Sequence, residues 1–139
     1  MSNAASNHVE DKTLDFWLKA NSATTLPPST VYVALFHGTA ASVLANLEAG
    51  TITDEITLGS YSRQPVTFGT VSGGSVSNSA NVTFVTATAN YDGDVTCLAI
   101  MDASSAGNVL FAGELTVSKT VTTGDQFQIA SGNLTVSLT

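Results

Sequence analysis

Beyond Lys19 the sequence carries only two basic residues, Arg63 and Lys119, across positions 20 to 139. Over that stretch, short runs of Val, Ile, Thr and aromatic residues alternate with Gly, Asn, Ser and Asp. β-Branched and aromatic residues fit a pleated, half-buried surface, while Gly, Asn and Asp supply the turns between strands. A surface of threonine and serine hydroxyls in place of charge is what a strand-rich chain presents. Charged residues make up 11% of the chain, against about a quarter in ordinary soluble domains. So few charges suggest that partners cover part of the surface. The pattern predicts an all-β protein whose work is contact rather than chemistry.

At 139 residues the chain is sized for a single domain, 1–139, able to bury its own core without disulfides or metal. Cys97 is the only cysteine, set in the apolar run from Val95 to Met101. A thiol there is expected to be buried and inert, since reactive thiols need an electropositive, partly exposed setting. The net charge of −7 excludes a phosphate-binding surface, which needs clustered Lys and Arg. It also disfavours an anionic membrane surface, and no apolar run approaches the ~20 residues that span a bilayer. The first seven residues lack the basic start and apolar stretch of a secretion signal. Synthesis in a cytoplasm, without the usual export route, is therefore expected.

Residues 1–7 read as a flexible polar arm, followed by a helix over 8–20. Asn7 is the expected cap with Glu10 three residues on, and Lys19 and Asn21 close the other end. Val9, Thr13, Phe16, Trp17 and Ala20 share a face, so Trp17 is expected to pin the helix on the β core. The other reading makes Trp17 an anchor into a neighbouring subunit. Pro27 and Pro28 then reset the chain to extended structure. The run from Val31 to Phe36 is apolar at every position, which predicts a central strand covered on both faces. Residues 40–59 form a long loop with a short helix, capped by Ser42 and stopped by Gly50. The remainder of that loop, 51–59, reads as exposed or as an irregular strand.

From Ser62 onward, strands are expected at 62–68, 76–85 with a break near Asn78, 95–101, 109–115, 126–130 and 134–138. Pro65 cannot donate to a ladder, so 62–68 is expected at a sheet edge or at a bulge. Together these predict an all-β, antiparallel two-sheet sandwich of jelly-roll type with one N-terminal helix.

A search for chemistry yields no catalytic, cofactor-binding or metal-ligating residue. His8 and His37 have no Cys or second His at ligand spacing. Asp92-Gly93-Asp94 lacks the further spaced acids of a calcium loop and reads as a turn. Glu48, Asp54, Glu55 and Glu114 are not spaced as the facing pair of a glycosidase. No enzyme activity and no cofactor are expected. Arg63, one of two cations in the β region, could clamp a carboxylate with both ends of its guanidinium.

Several pieces of the sequence carry a resemblance. They are an N-terminal helix ahead of Val31-Tyr32-Val33-Ala34-Leu35-Phe36, then Tyr61-Ser62-Arg63-Gln64-Pro65-Val66-Thr67-Phe68, Asn78-Ser79-Ala80-Asn81-Val82-Thr83-Phe84 and Ala99-Ile100-Met101-Asp102-Ala103. Gly107-Asn108-Val109-Leu110-Phe111-Ala112-Gly113, Lys119-Thr120-Val121 with Gly124-Asp125, and Ala130-Ser131-Gly132-Asn133-Leu134-Thr135-Val136 complete the set. The chain resembles small bacteriophage virion structural proteins, labelled tail fibre or minor virion proteins, and related capsid decoration (cement) proteins. The resemblance brings no catalytic residues and implies a virion protein made in a bacterial host, not a particular place on the virion; the acidic balance favours the outer surface over the DNA-facing lumen.

Two functions compete. The favoured one is a cement protein on the outer shell that bridges and stabilises subunits of the major capsid protein. The second is a tail or fibre component that binds the host surface, with Tyr61 and Tyr91 as the aromatics available to carbohydrate. In either case the chain is expected to form a homo-oligomer, a trimer in preference to a dimer, and to bind neither nucleic acid nor membrane. On the cement reading, deletion of residues 1–7 should weaken attachment without unfolding the domain.

Overall fold

A computed structural model describes residues 3–19 and 27–138. The elements in chain order are β1 (Asn3–Ala5), α1 (Asn7–Leu18), β2 (Val31–His37), α2 (Ala40–Glu48), β3 (Gln64–Val66) and β4 (Ser75–Ser77). They continue with β5 (Val82–Thr83), β6 (Val95–Met101), β7 (Val109–Lys119), β8 (Gln128–Ile129) and β9 (Thr135–Ser137). Every strand pair is antiparallel. The main sheet has five strands in the order β1-β7-β6-β2-β3. In place of the continuous second sheet expected of a jelly roll stand two separate two-stranded ladders, β4–β9 and β5–β8. The break between them falls at Asn78, whose backbone and side chain both turn toward residues 130–134.

Strand β2 is central and covered on both faces, as its unbroken apolar run requires. Val33 and Leu35 join one buried cluster with Ile56, Val82, Phe84 and Phe127. Ala34 and Phe36 join the other, against Val43 and Leu47 of α2. In β6 the two clusters draw on Val95 and Cys97, residues of the same parity. A register shift between them makes this possible, because a bulge changes which face the following side chains occupy. Five steps of β7, from Glu114 to Lys119, lie against the two steps of β6 from Cys97 to Val95, so residues 115–118 bow away from the sheet.

Of the two readings of segment 51–59, the irregular strand holds for residues 54–56, which run beside β2: His37 N–H donates to Asp54 O and Ile56 N–H to Leu35 O, both at 3.0 Å. Ile56 is buried. The same edge of β2 is continued by β3, with Tyr32 opposite Pro65. Pro65 thus sits on an edge strand, where its missing N–H costs nothing. Helix α2 starts one turn earlier than the Ser42 cap implied, with Thr39 as N-cap. Gly50, at φ +85°, ends it as expected.

The N-terminus departs most from expectation. Residues 3–5, read as part of a flexible arm, pair with β7, Asn3 opposite Gly113 and Ala5 opposite Phe111. The N-cap is Ser6, not Asn7: its Oγ accepts from Val9 N–H at 3.3 Å and donates to Val109 O. Its N–H donates to Leu110 O at 3.0 Å. Helix α1 is therefore sewn to the sheet edge at its first residues. No residue of α1 is buried, so Trp17 is not the core anchor of the first reading. Both faces of the main sheet are already occupied, one by α2 and the other by the ladders, which leaves α1 no core to cover. Ala20 and Asn21, expected to close this helix, lie outside the described residues.

Candidate functional site

Among the described residues, three buried polar ones mark the joints of the fold: Ser6, Arg63 and Asn78, at 1%, 7% and 2% exposure. A buried polar group is costly unless hydrogen-bonded, and each of these is hydrogen-bonded. Arg63 forms the clamp that its isolation in sequence suggested. Its Nε donates to Glu55 Oε1 and its Nη2 to Glu55 Oε2, both at 2.7 Å. Its Nη1 donates to the carbonyls of Ala103 at 2.9 Å and Ala106 at 2.7 Å. Tyr61 extends the network: its hydroxyl donates to Glu55 Oε1 and accepts from Leu35 N–H, both at 2.9 Å. Burial pushes the Tyr61 phenol far above its ordinary range, and the Glu55 carboxylate adds to the shift. At any ordinary pH this hydroxyl is a proton donor.

The sequence pieces that carry the family resemblance meet in pairs in the fold. Arg63 holds the turn between Asp102 and Gly107, joining the second piece to the fourth and fifth. Gly107 has φ +73°, and a Cβ there would lie 2.4 Å from Asp102 Oδ1. Asp102 accepts from Asn108 N–H at 2.7 Å, which fixes the same turn. Asn78 Oδ1 accepts from Leu134 N–H at 2.9 Å and its Nδ2 donates to Ala130 O at 3.1 Å. Asn81 Oδ1 accepts from Ser131 N–H. The Gly124-Asp125 turn bonds both ways with Ala87 at 2.8 Å. These residues hold the fold, and the sequence signal that found them is a structural one.

The other residues considered for chemistry are similarly occupied. Asp92 accepts from Thr57 N–H at 3.0 Å and Oγ1 at 2.7 Å, and His37 Nε2 stands 3.7 Å from Asp92 Oδ2. Asp94 accepts from Thr120. Asp54 accepts from Asn46. Glu48 is exposed at the end of α2 and His8 is half-buried in the first turn of α1. Cys97 is buried against α2, its thiol 3.7 Å from Ala40 O, and burial pushes its pKa up. Tyr61 and Tyr91, the aromatics set aside for carbohydrate, both pack into the core, edge to face with each other.

Two surface features are left for contact. One is a groove of about 860 Å³ between the bowed part of β7 and strands β8 and β9. Leu98, Val121, Phe127 and Leu134 are its buried residues, and its exposed ones include Glu114 and Lys119. The other is the end of α1. Trp17 and Leu18 are each 75% exposed, Phe16 58% and Leu14 55%, with Phe16 and Trp17 edge to face at 5.3 Å. The sequence placed these residues on a helix face but assigned that face to the core. Among the described residues no helix is long and apolar enough to cross a membrane.

Comparison with protein families finds a match to the family described as Podophage GP4 fiber I protein gp80, over residues 4–137. A search of curated proteins found no match.

Proposed function

The chain belongs to the podophage fiber I protein gp80 family of virion structural proteins, and we propose that it serves as a non-enzymatic fibre component on the outside of the particle. The observation that carries this reading is the extent of the family match, which spans nearly the whole described fold. The geometry supports it. The polar residues that stand out in sequence are spent on internal joints, while the surface offers an apolar helix end and a shallow mixed groove. Such a surface suits protein contact better than a reaction. The acidic balance suits the exterior, where no DNA phosphate opposes it.

The partners on this reading are other tail or fibre proteins and further copies of the chain, a trimer in preference to a dimer. Avidity then makes modest single contacts sufficient. Capsid decoration is the second reading, with the major capsid protein as partner. Its remaining support is the acidic exterior, which fits a fibre equally; the mobile arm that favoured it is in part a strand. Labelling the protein on intact particles separates the two. Label at the tail is the expected result. Label spread over the head overturns the fibre reading in favour of decoration.

A further inference from the structure

Strand β7 outruns its neighbours. On one edge β1 covers it as far as Gly113, opposite Asn3. On the other, β6 stands opposite Glu114 and Lys119 but opposite no residue between them. Among the described residues, no strand therefore faces Leu115, Thr116, Val117 or Ser118 on either edge, and no turn or loop bond reaches their main chain. An open strand edge is a template for another chain, which folds ordinarily blunt with charge or proline. These four residues carry neither. The charges stand at the two ends of the stretch instead. Glu114 and Lys119 are both exposed, and neither enters an ion pair among the described residues. Nor does the bow close the edge. It opens the groove of about 860 Å³, with Leu115 and Thr116 on the β7 wall, Gln126 on the other, and Leu98 and Phe127 beneath.

We propose that this groove is a strand-addition site, occupied by an extended segment of another virion protein laid antiparallel to Leu115–Ser118. The missing backbone partners define the occupant as a strand, since main-chain hydrogen bonds supply affinity in this mode and alternate side chains supply specificity. Charge sets its register. Opposite charges face each other across an antiparallel pair when the segment places an acid across from Lys119 and, toward its own C-terminus, a base across from Glu114. Leu98 and Phe127 are already buried, so the residues that face them must be small or β-branched. A second copy of the chain holds such a pattern in Glu114–Lys119 itself, but that strand is already the wall of its own groove. A strand fixed in one sheet does not fit between the walls of another, and copies of charge −7 repel. The guest is therefore a terminal or linking segment, free of any sheet. The proposal rests on the fibre reading only in taking its partner from the virion.

The probe is a designed, end-capped peptide with aspartate near its N-terminus, lysine near its C-terminus, and alternating valine and threonine at the four positions between. It is titrated into the isotope-labelled full chain and followed by amide resonances and hydrogen exchange. The expected result is saturable shifts at residues 114–119 and 126–134, slower exchange of the 115–118 amides, and no shift at Trp17. The V117P variant, which removes one edge donor at an exposed position, should melt like the wild type and bind at least about tenfold more weakly. The E114K/K119E variant should lose about tenfold for this peptide and gain as much for one with its two charges exchanged. Both positions are exposed, so this swap decides the matter even if V117P fails to fold. No shift at about 5 mM peptide, where even a millimolar Kd would show, overturns the proposal. So does equal binding of both peptides to the wild type, or a charge swap without effect. Shifts at 114–119 that follow protein concentration alone overturn it in favour of a second copy. Shifts given by host cell-wall oligosaccharides and not by peptide overturn it in favour of a sugar. Tail labelling without peptide binding sinks this inference and leaves the fibre reading standing; peptide binding with label over the head does the reverse.

Discussion

Replacing Arg63 by methionine keeps the stem of the side chain and removes its charge and its donors. Glu55 then loses two hydrogen bonds of 2.7 Å, and the carbonyls of Ala103 and Ala106 lose their donor. The side chains are 3% and 17% exposed, so water cannot freely replace what is lost. Removing one partner of a buried pair costs about 3–5 kcal/mol, and the small opening at Glu55 places this case toward the lower end. Native stability is only about 5–15 kcal/mol, so the loss should lower the melting temperature by roughly 10–20 °C. The assay is urea unfolding of the wild type, R63M, E55Q and the double variant. A coupling above about 1 kcal/mol between the two sites is expected. A loss below about 1 kcal/mol for R63M, the range of exposed ion pairs, would refute the view that this motif is a structural joint.

Gly107→Ala should cost about 1–3 kcal/mol, because it forces a side chain into positive φ and into Asp102; a melting temperature within a degree of wild type would contradict this. Deleting residues 1–6 uncovers the β7 edge and removes the cap of α1, so it should lower stability measurably, contrary to the expectation from sequence that the arm is dispensable for folding. Cys97 should react with a thiol reagent only as fast as the protein unfolds, and rapid labelling of native protein would show that it is accessible. Burial alone would raise the pKa of Asp92, but the Thr57 hydroxyl and N–H, its own N–H and His37 bring it below its ordinary value. Its stabilisation is thus present above about pH 4, the unfolded value, and is lost as pH falls through the lower folded pKa. D92N should accordingly flatten the acid limb of stability against pH, and an unchanged limb would refute the assignment.

Much of the fold was legible because side-chain alternation and turn residues act locally. The doubly buried β2, the edge position of Pro65, the break at Asn78 and the long β6 all follow from patterns a few residues wide. What could not be read depends on surfaces far apart in sequence. Strand β1 exists because the β7 edge offers it partners about a hundred residues away, and nothing in Asn3-Ala4-Ala5 announces a strand. The apolar face of α1 was visible, but periodicity says only that a face will be covered, not by what. Segment 51–59 is polar at Thr51, Asp54, Glu55 and Thr57, yet its carboxylates are consumed by Asn46 and Arg63. Of the contact surfaces, the helix end was half legible; the groove, assembled from β7, β8 and β9, was not.

The central claim is that this chain works by contact at the fibre and not by stabilising the shell. Particles assembled with and without it should be compared, on the same preparations, for adsorption to host cells and for release of DNA on heating. Particles lacking the protein should form, hold their DNA to the same temperature, and adsorb poorly. Normal adsorption together with heads that burst at a lower temperature would contradict it.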